Sequence, residues 1–227
     1  MCCLDPSDVD VLVLAGDVGE VRNGLLEDAL KAFSSLYPNV VFVPGNHEYY
    51  GASLLECDQA FRTLDESIPN LHILRRNVVE LLGQRFIGTS LWFTEKVDDQ
   101  QAELEKRLND FHQISGGFRD WVYEEAARDA AFLNDTVRDG DVVVTHHIPS
   151  PRGVAERWQA RIEGFGRFFV HALPEELIER SRLWCHGHGH DSVRTQVGNH
   201  TLVANPFGYL GAAENPDFDP KLVFEIY

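Results

Sequence analysis

Four short polar clusters, Gly16-Asp17, Gly45-Asn46-His47-Glu48, Thr145-His146-His147 and Gly187-His188-Gly189-His190, each follow an apolar run of strand length. Side chains from such distant places meet only if the strands are neighbours in one fold and end on the same side, where open α/β sheets gather ligands. The rest of the pattern agrees. The runs at 9–15, 40–43, 142–144 and 183–185 read as strands, and 24–36 and 52–64 carry apolar residues near helical spacing. Runs at 71–74, 78–82 and 85–87 read as a meander, and 98–138 as two helices broken at Ser115-Gly116-Gly117. Residues 174–180 read as a helix with Pro174 in its first turn, 192–197 and 201–204 as a hairpin around Gly198-Asn199, and 222–226 as a last strand.

Composition narrows the classes. With 227 residues, 44% apolar and 25% charged, the chain suits one well-buried α/β core, so 1–227 reads as a single domain. A formal charge of −16 repels a phosphate backbone over most of the surface, which argues against general nucleic-acid binding. Cys2, Cys3, Cys57 and Cys185 show no paired spacing, no stretch approaches the roughly 20 apolar residues of a membrane span, and Met1-Cys2-Cys3-Leu4 lacks a signal-peptide pattern. A soluble, reducing, cytoplasmic setting is the expectation.

The clusters offer oxygen and imidazole donors, a set that suits divalent Mn, Fe, Zn or Co better than a thiolate zinc site. Asp17 has two oxygens to share between cations, Asn46 a neutral carbonyl oxygen, and His146, His188 and His190 one nitrogen each. Two cations roughly 3.5–4 Å apart share a hydroxide and clamp a phosphoryl group for in-line attack. Neighbouring side chains on an extended run face opposite ways, so one of His146 and His147 is a ligand, and its position favours His146. His186 reads as packing behind the cluster, and His72, His112, His171 and His200 as structural or surface residues. The aromatic stretch 111–123 reads as a packed helix pair rather than a cleft wall, and Asp98, Asp99, Glu103 and Glu105 as a solvated helix face. The turn at 205–209 fits pocket shaping and plain structure equally.

Taken in order, the clusters resemble the calcineurin-like metallophosphoesterase superfamily, whose motifs run Asp-x-His, Gly-Asp-x-x-(Asp/Glu), Gly-Asn-His-(Asp/Glu), a His after a strand, and Gly-His-x-His. Gly16-Asp17-Val18-Gly19-Glu20, Gly45-Asn46-His47-Glu48, Thr145-His146-His147 and Gly187-His188-Gly189-His190 are similar to the last four. The resemblance implies an α/β fold, a β-sandwich flanked by helices. It also implies that Asp17 bridges two divalent metals, that Asn46, His146 and His188 complete one of them, and that His190 serves the other. His47 would stand near the leaving-group oxygen as proton donor or charge stabiliser, with Glu48 orienting it. The implied activity is hydrolysis of a phosphate monoester or diester, small or macromolecular, by a metal-bridging hydroxide. No Asp-x-His is found in the sequence, so the expectation is an N-terminally truncated domain short of its first strand, with one metal held firmly. The alternative is a catalytically impaired remnant that binds metal or ligand on the same scaffold. Metal-dependent amide hydrolases fit the Gly-Asn-His-Glu and Gly-Asp pairing poorly.

Overall fold

A computed structural model describes residues 6–197 and 199–226; Cys2, Cys3 and Gly198 lie outside them. Two sheets face each other. Strands β1 (Leu12–Leu14), β2 (Val40–Phe42) and β3 (Leu71–Ile73) pair in parallel in that order, with helix α1 (Leu25–Leu36) crossing between the first two and α2 (Leu54–Ser67) between the last two. The second sheet holds β4 (Asn77–Leu81), β5 (Gln84–Thr89), β6 (Val142–Thr145), β7 (Leu183–Cys185), β8 (Val193–Val197) and β9 (His200–Ala204), in the order β4-β5-β6-β7-β9-β8. Its two outer strands run antiparallel to their neighbours, and the four inner ones are parallel.

Strand alternation builds the layers. Val41 and Val43 meet Phe86, Val142, Val144, Leu183 and Val203 between the sheets. Val40 and Phe42, on the other face of β2, pack with Leu26 and Leu30 of α1 and with Cys57, Phe61 and Leu64 of α2. Both faces of β2 are covered, so all three of its residues are buried and read as a continuous apolar run. Val143, Trp184 and Leu202 point out of the second sheet onto Leu133, Leu177 and Ile178. Each such side chain contributes about 1.5–3 kcal/mol when fully buried. The result is a β-sandwich flanked by helices. The entry to α2 is also locally encoded, since Ser53 Oγ accepts from Glu56 N and the Glu56 carboxylate accepts from Ser53 N.

The sheets approach most closely at Gly88, where a Cβ would stand 2.7 Å from both Leu74 Cβ and Val43 Cγ2. Gly88→Ala is therefore expected to cost about 1–3 kcal/mol through overpacking, read as a lower urea midpoint. An unchanged midpoint would show that the sandwich yields there.

Three expectations are corrected. The stretch 71–87 is not one meander, because β3 pairs with β2 in the first sheet and only β4 and β5 form a hairpin. The stretch 98–138 forms three helices, α3 (Gln101–Glu105), α4 (Asp110–Gln113) and α5 (Phe118–Thr136). The chain breaks between α4 and α5 because Gly51 N donates to Gln113 O and Ser115 N to Ala52 O, tying this segment to the loop before α2. Residues 222–226 keep the alternating burial of a strand, with Leu222, Phe224 and Ile226 against the inter-sheet core, but form no ladder among the described residues. Their period of two reports a buried face, whereas a strand also needs an edge to pair with. The small hairpin of β10 (Gly208–Tyr209) and β11 (Ala213–Glu214) follows the second sheet.

Candidate metal centre

The loops after β1, β2, β6 and β7 converge at one end of the sandwich. Glycine makes the approach possible: Gly16 has φ +88°, and a Cβ there would run into the His146 ring and lie 2.8 Å from Gly45 Cα. Asp17, His188 and His190 themselves sit in the left-handed region, at φ 59°, 61° and 56°. Such backbone costs on the order of 1–3 kcal/mol per residue and persists where the surroundings enforce it. Part of that enforcement is Glu48. Its fully buried carboxylate accepts from the backbone N–H of Asp17 (2.9 Å), Val18 (2.6 Å), Gly19 (3.2 Å) and Gly45 (2.6 Å), which ties the first ligand loop to the second. Burial, with the Asp17 charge beside it, pushes this carboxyl up to about 7. The expected orienting contact from Glu48 to the His47 ring is therefore replaced by a clamp on backbone, because four donors already take its oxygens.

Four ligand atoms face one another. His146 Nδ1 lies 2.8 Å from the carbonyl oxygen of Ala15, which can only accept, so Nδ1 donates there and Nε2 is the nitrogen left facing the cluster. That Nε2 is 3.0 Å from Asn46 Oδ1, 3.0 Å from His188 Nδ1 and 3.4 Å from Asp17 Oδ1. Asp17, His146 and His188 each offer an atom within 4.8 Å of the others. Burial, with His147 and His146 close by, holds the His188 ring well below the usual histidine range, hence neutral and ready to donate a lone pair. Its Nε2 is buried without a hydrogen-bond partner among the described residues. Two oxygens and two ring nitrogens thus converge on one point, and that donor set fits a divalent cation.

The remaining predicted residues ring this cluster. His47 donates its backbone N–H to Asp17 Oδ1 at 3.1 Å, while its Nε2 lies 3.2 Å from the Tyr209 hydroxyl. Its ring stacks at 4.3 Å on Tyr50. His190 is exposed, outside the close cluster, with its ring edge-on to Tyr209 at 4.9 Å. His147 lies beside the cluster, its ring 4.3 Å from that of His188 and also beside Trp92, with Nδ1 at 3.2 Å from Ser90 O. His186 packs behind, with Nδ1 against Gly187 O, and burial pushes it down to about 4. His171 and His112 bond to the backbone carbonyls of Trp92 and Lys106, which are structural uses. The aromatic residues Phe111, Phe118, Trp121 and Tyr123 belong to the core with Phe93 and Trp92.

Sequence reasoning missed two neighbours of the site, Tyr50 and Asp110, and weighed the turn that carries a third, Tyr209, equally between pocket shaping and plain structure. Tyr50 and Asp110 bond to Asn46, and Tyr209 of the β10–β11 hairpin reaches His47. Burial raises the Asp110 carboxyl, an effect the hydrogen bonds from Tyr50 and Asn46 oppose. The two tyrosines follow motif-like segments, but Asp110 stands 64 residues from Asn46 and carries no local signal.

The β-sandwich and the loops that bring Asp17, Asn46, His146 and His188 to one point agree with the phosphoesterase class. The chain belongs to the calcineurin-like phosphoesterase family, whose family model matches residues 3–192. It is 22% identical over 244 residues to "Uncharacterized protein L509" of Acanthamoeba polyphaga mimivirus, covering 98% of this chain and 86% of that protein. Its fold is similar to phosphopantetheinyl hydrolase (PptH) from Mycobacterium tuberculosis, with a TM-score of 0.69 at 17% identity over 88% of this chain and 79% of that one. The protein TT1561 of Thermus thermophilus is a more distant likeness, at a TM-score of 0.50 and 14% identity over 88% of this chain and 77% of that one. No helix among the described residues is long and apolar enough to cross a membrane.

Proposed function

We propose that this chain hydrolyses phosphate monoesters or diesters with a divalent cation, Mn, Fe, Zn or Co, held by Asp17, Asn46, His146 and His188. The observation that carries the reading is the meeting of lone-pair donors around His146 Nε2, two at 3.0 Å and one at 3.4 Å, with the ring proton committed to Ala15 O. A cation there supplies Lewis acidity toward a phosphoryl oxygen and toward water. The chain's own residues do the rest. His47 stands at the rim with Nε2 turned outward to Tyr209, where it meets a leaving-group oxygen and stabilises or protonates it. Tyr209, exposed on its hairpin, borders that position, and an incoming ester takes over its hydrogen bond on His47. His190 and the outer oxygen of Asp17 serve a second, weaker cation. The net charge of −16 keeps polyanions off the general surface, so the substrate's phosphate is drawn in by the bound cation rather than by basic side chains.

Turnover of p-nitrophenyl phosphate and bis(p-nitrophenyl) phosphate by the 227-residue chain with Mn²⁺ tests this. The expected result is release of nitrophenolate from at least one ester, stopped by EDTA and restored by Mn²⁺. A folded chain that binds Mn²⁺ and turns over neither would favour the non-catalytic binding protein.

A further inference from the structure

Asn46 is asymmetric, and its use as a ligand depends on which end faces the cluster. Only its oxygen can hold a cation; its NH₂ would repel one and donate to His146 Nε2 instead. Nothing in the Gly-Asn-His-Glu turn decides between the two ends. The decision comes from α4, where Asp110 is buried to 1% exposure. Asp110 Oδ1 accepts from Asn46 Nδ2 at 2.9 Å and from the Tyr50 hydroxyl at 2.6 Å. Asn46 Nδ2 also lies 3.1 Å from that hydroxyl, which accepts from it while donating its own proton to Asp110. Asp110 Oδ2 is buried with no hydrogen bond among the described residues.

We propose that Asp110, supported by Tyr50, is a positioning residue that fixes the Asn46 carboxamide with its nitrogen away from the cluster and its oxygen at 3.0 Å from His146 Nε2, so that Asn46 can serve as a ligand. A carboxylate oxygen accepts and does not donate, so the Asn46 NH₂ end is the one that can face it. The three side chains close a small ring of hydrogen bonds, with Asn46 and Asp110 buried. The break between α3 and α4, which brings Asp110 back to the loop after β2, has its purpose in this contact. The inference rests on the reading of the cluster as a metal centre.

Asp110→Asn keeps the shape and reverses the chemistry. Where its new NH₂ takes the place of Oδ1 beside Asn46, it donates to the Asn46 oxygen and turns the Asn46 NH₂ toward His146. Mn²⁺ affinity by titration calorimetry is expected to fall by about 10–100-fold, the range that partners of metal ligands command. Adding Asn46→Asp to that variant restores an oxygen on both sides, and affinity is expected to return to within about threefold of the parent. A role confined to packing predicts no such rescue. An Asp110→Asn variant that melts like the parent and binds Mn²⁺ within twofold of it would overturn the proposal, as would a double variant no better than the single one. If the parent chain binds no Mn²⁺, the proposal falls together with the metal centre. Binding without ester turnover removes the hydrolase reading alone, because the readout here is affinity.

Discussion

Replacing His188 with Ala is expected to lower ester hydrolysis by roughly a thousandfold or more, about 4 kcal/mol at 1.36 kcal/mol per decade. The side chain is buried at the end of the loop after β7, and its Nδ1 is one of the donors closest to His146 Nε2, at 3.0 Å. Its loss takes away a ligand that no neighbour is placed to replace. His147, whose ring is 4.3 Å away, has its Nδ1 on Ser90 O, and His190 lies against Tyr209. A second readout separates loss of the cation from loss of the fold. Mn²⁺ at about 100 times its dissociation constant stabilises the parent by about 2.7 kcal/mol. At about 2–4 °C per kcal/mol for a chain of this size, that raises Tm by roughly 5–10 °C. In His188→Ala the Mn²⁺-dependent rise is expected to vanish, while Tm in EDTA stays near the parent's, since the variant also sheds a neutral imidazole crowded by two others. An undiminished Mn²⁺ shift in the variant would place the cation elsewhere.

The ligand loops were legible because each motif residue follows a strand whose apolar run is complete within the sequence: Phe42 before Gly45-Asn46, Thr145 before His146, and Cys185 before Gly187-His188. Parallel strands with helical crossovers end on one side, so strand ends alone bring Asn46 and His146 together across 100 residues. What the sequence did not carry lies in contacts with no period. Asp110 reaches Asn46 because the helical stretch is broken twice: the second break, at Gly116 and Gly117, was legible as glycines, whereas the hydrogen bonds that tie it to the loop at 51–52, and the first break before Asp110, carry no such signal. Tyr209 comes from a hairpin of two-residue strands, too short for alternation to register. Residues 222–226 show the opposite failure, since alternation was present and a partner was not.

Glu48→Ala is expected to be among the most damaging single changes in stability, about 3–5 kcal/mol, which lowers Tm by roughly 10 °C or more. The family resemblance implied that Glu48 orients His47, and on that view its loss would slow catalysis and leave the fold alone. The geometry assigns it different work. Four backbone N–H groups from Asp17, Val18, Gly19 and Gly45 end on its two oxygens, and removing them leaves buried donors that each cost on the order of 1–3 kcal/mol if unpaired. The same bonds hold Asp17 in its left-handed conformation beside Gly45, so the strain stored there is released when they go. Stability and Mn²⁺ affinity are therefore expected to fall together in Glu48→Ala, whereas the Tyr209 hydroxyl, whose bond is to the His47 ring, is no part of the clamp. A variant within about 1 kcal/mol of the parent in urea unfolding, but slow on the aryl ester, would return Glu48 to His47 and leave the ligand loops to be held by the glycines and the His146 bond to Ala15 alone.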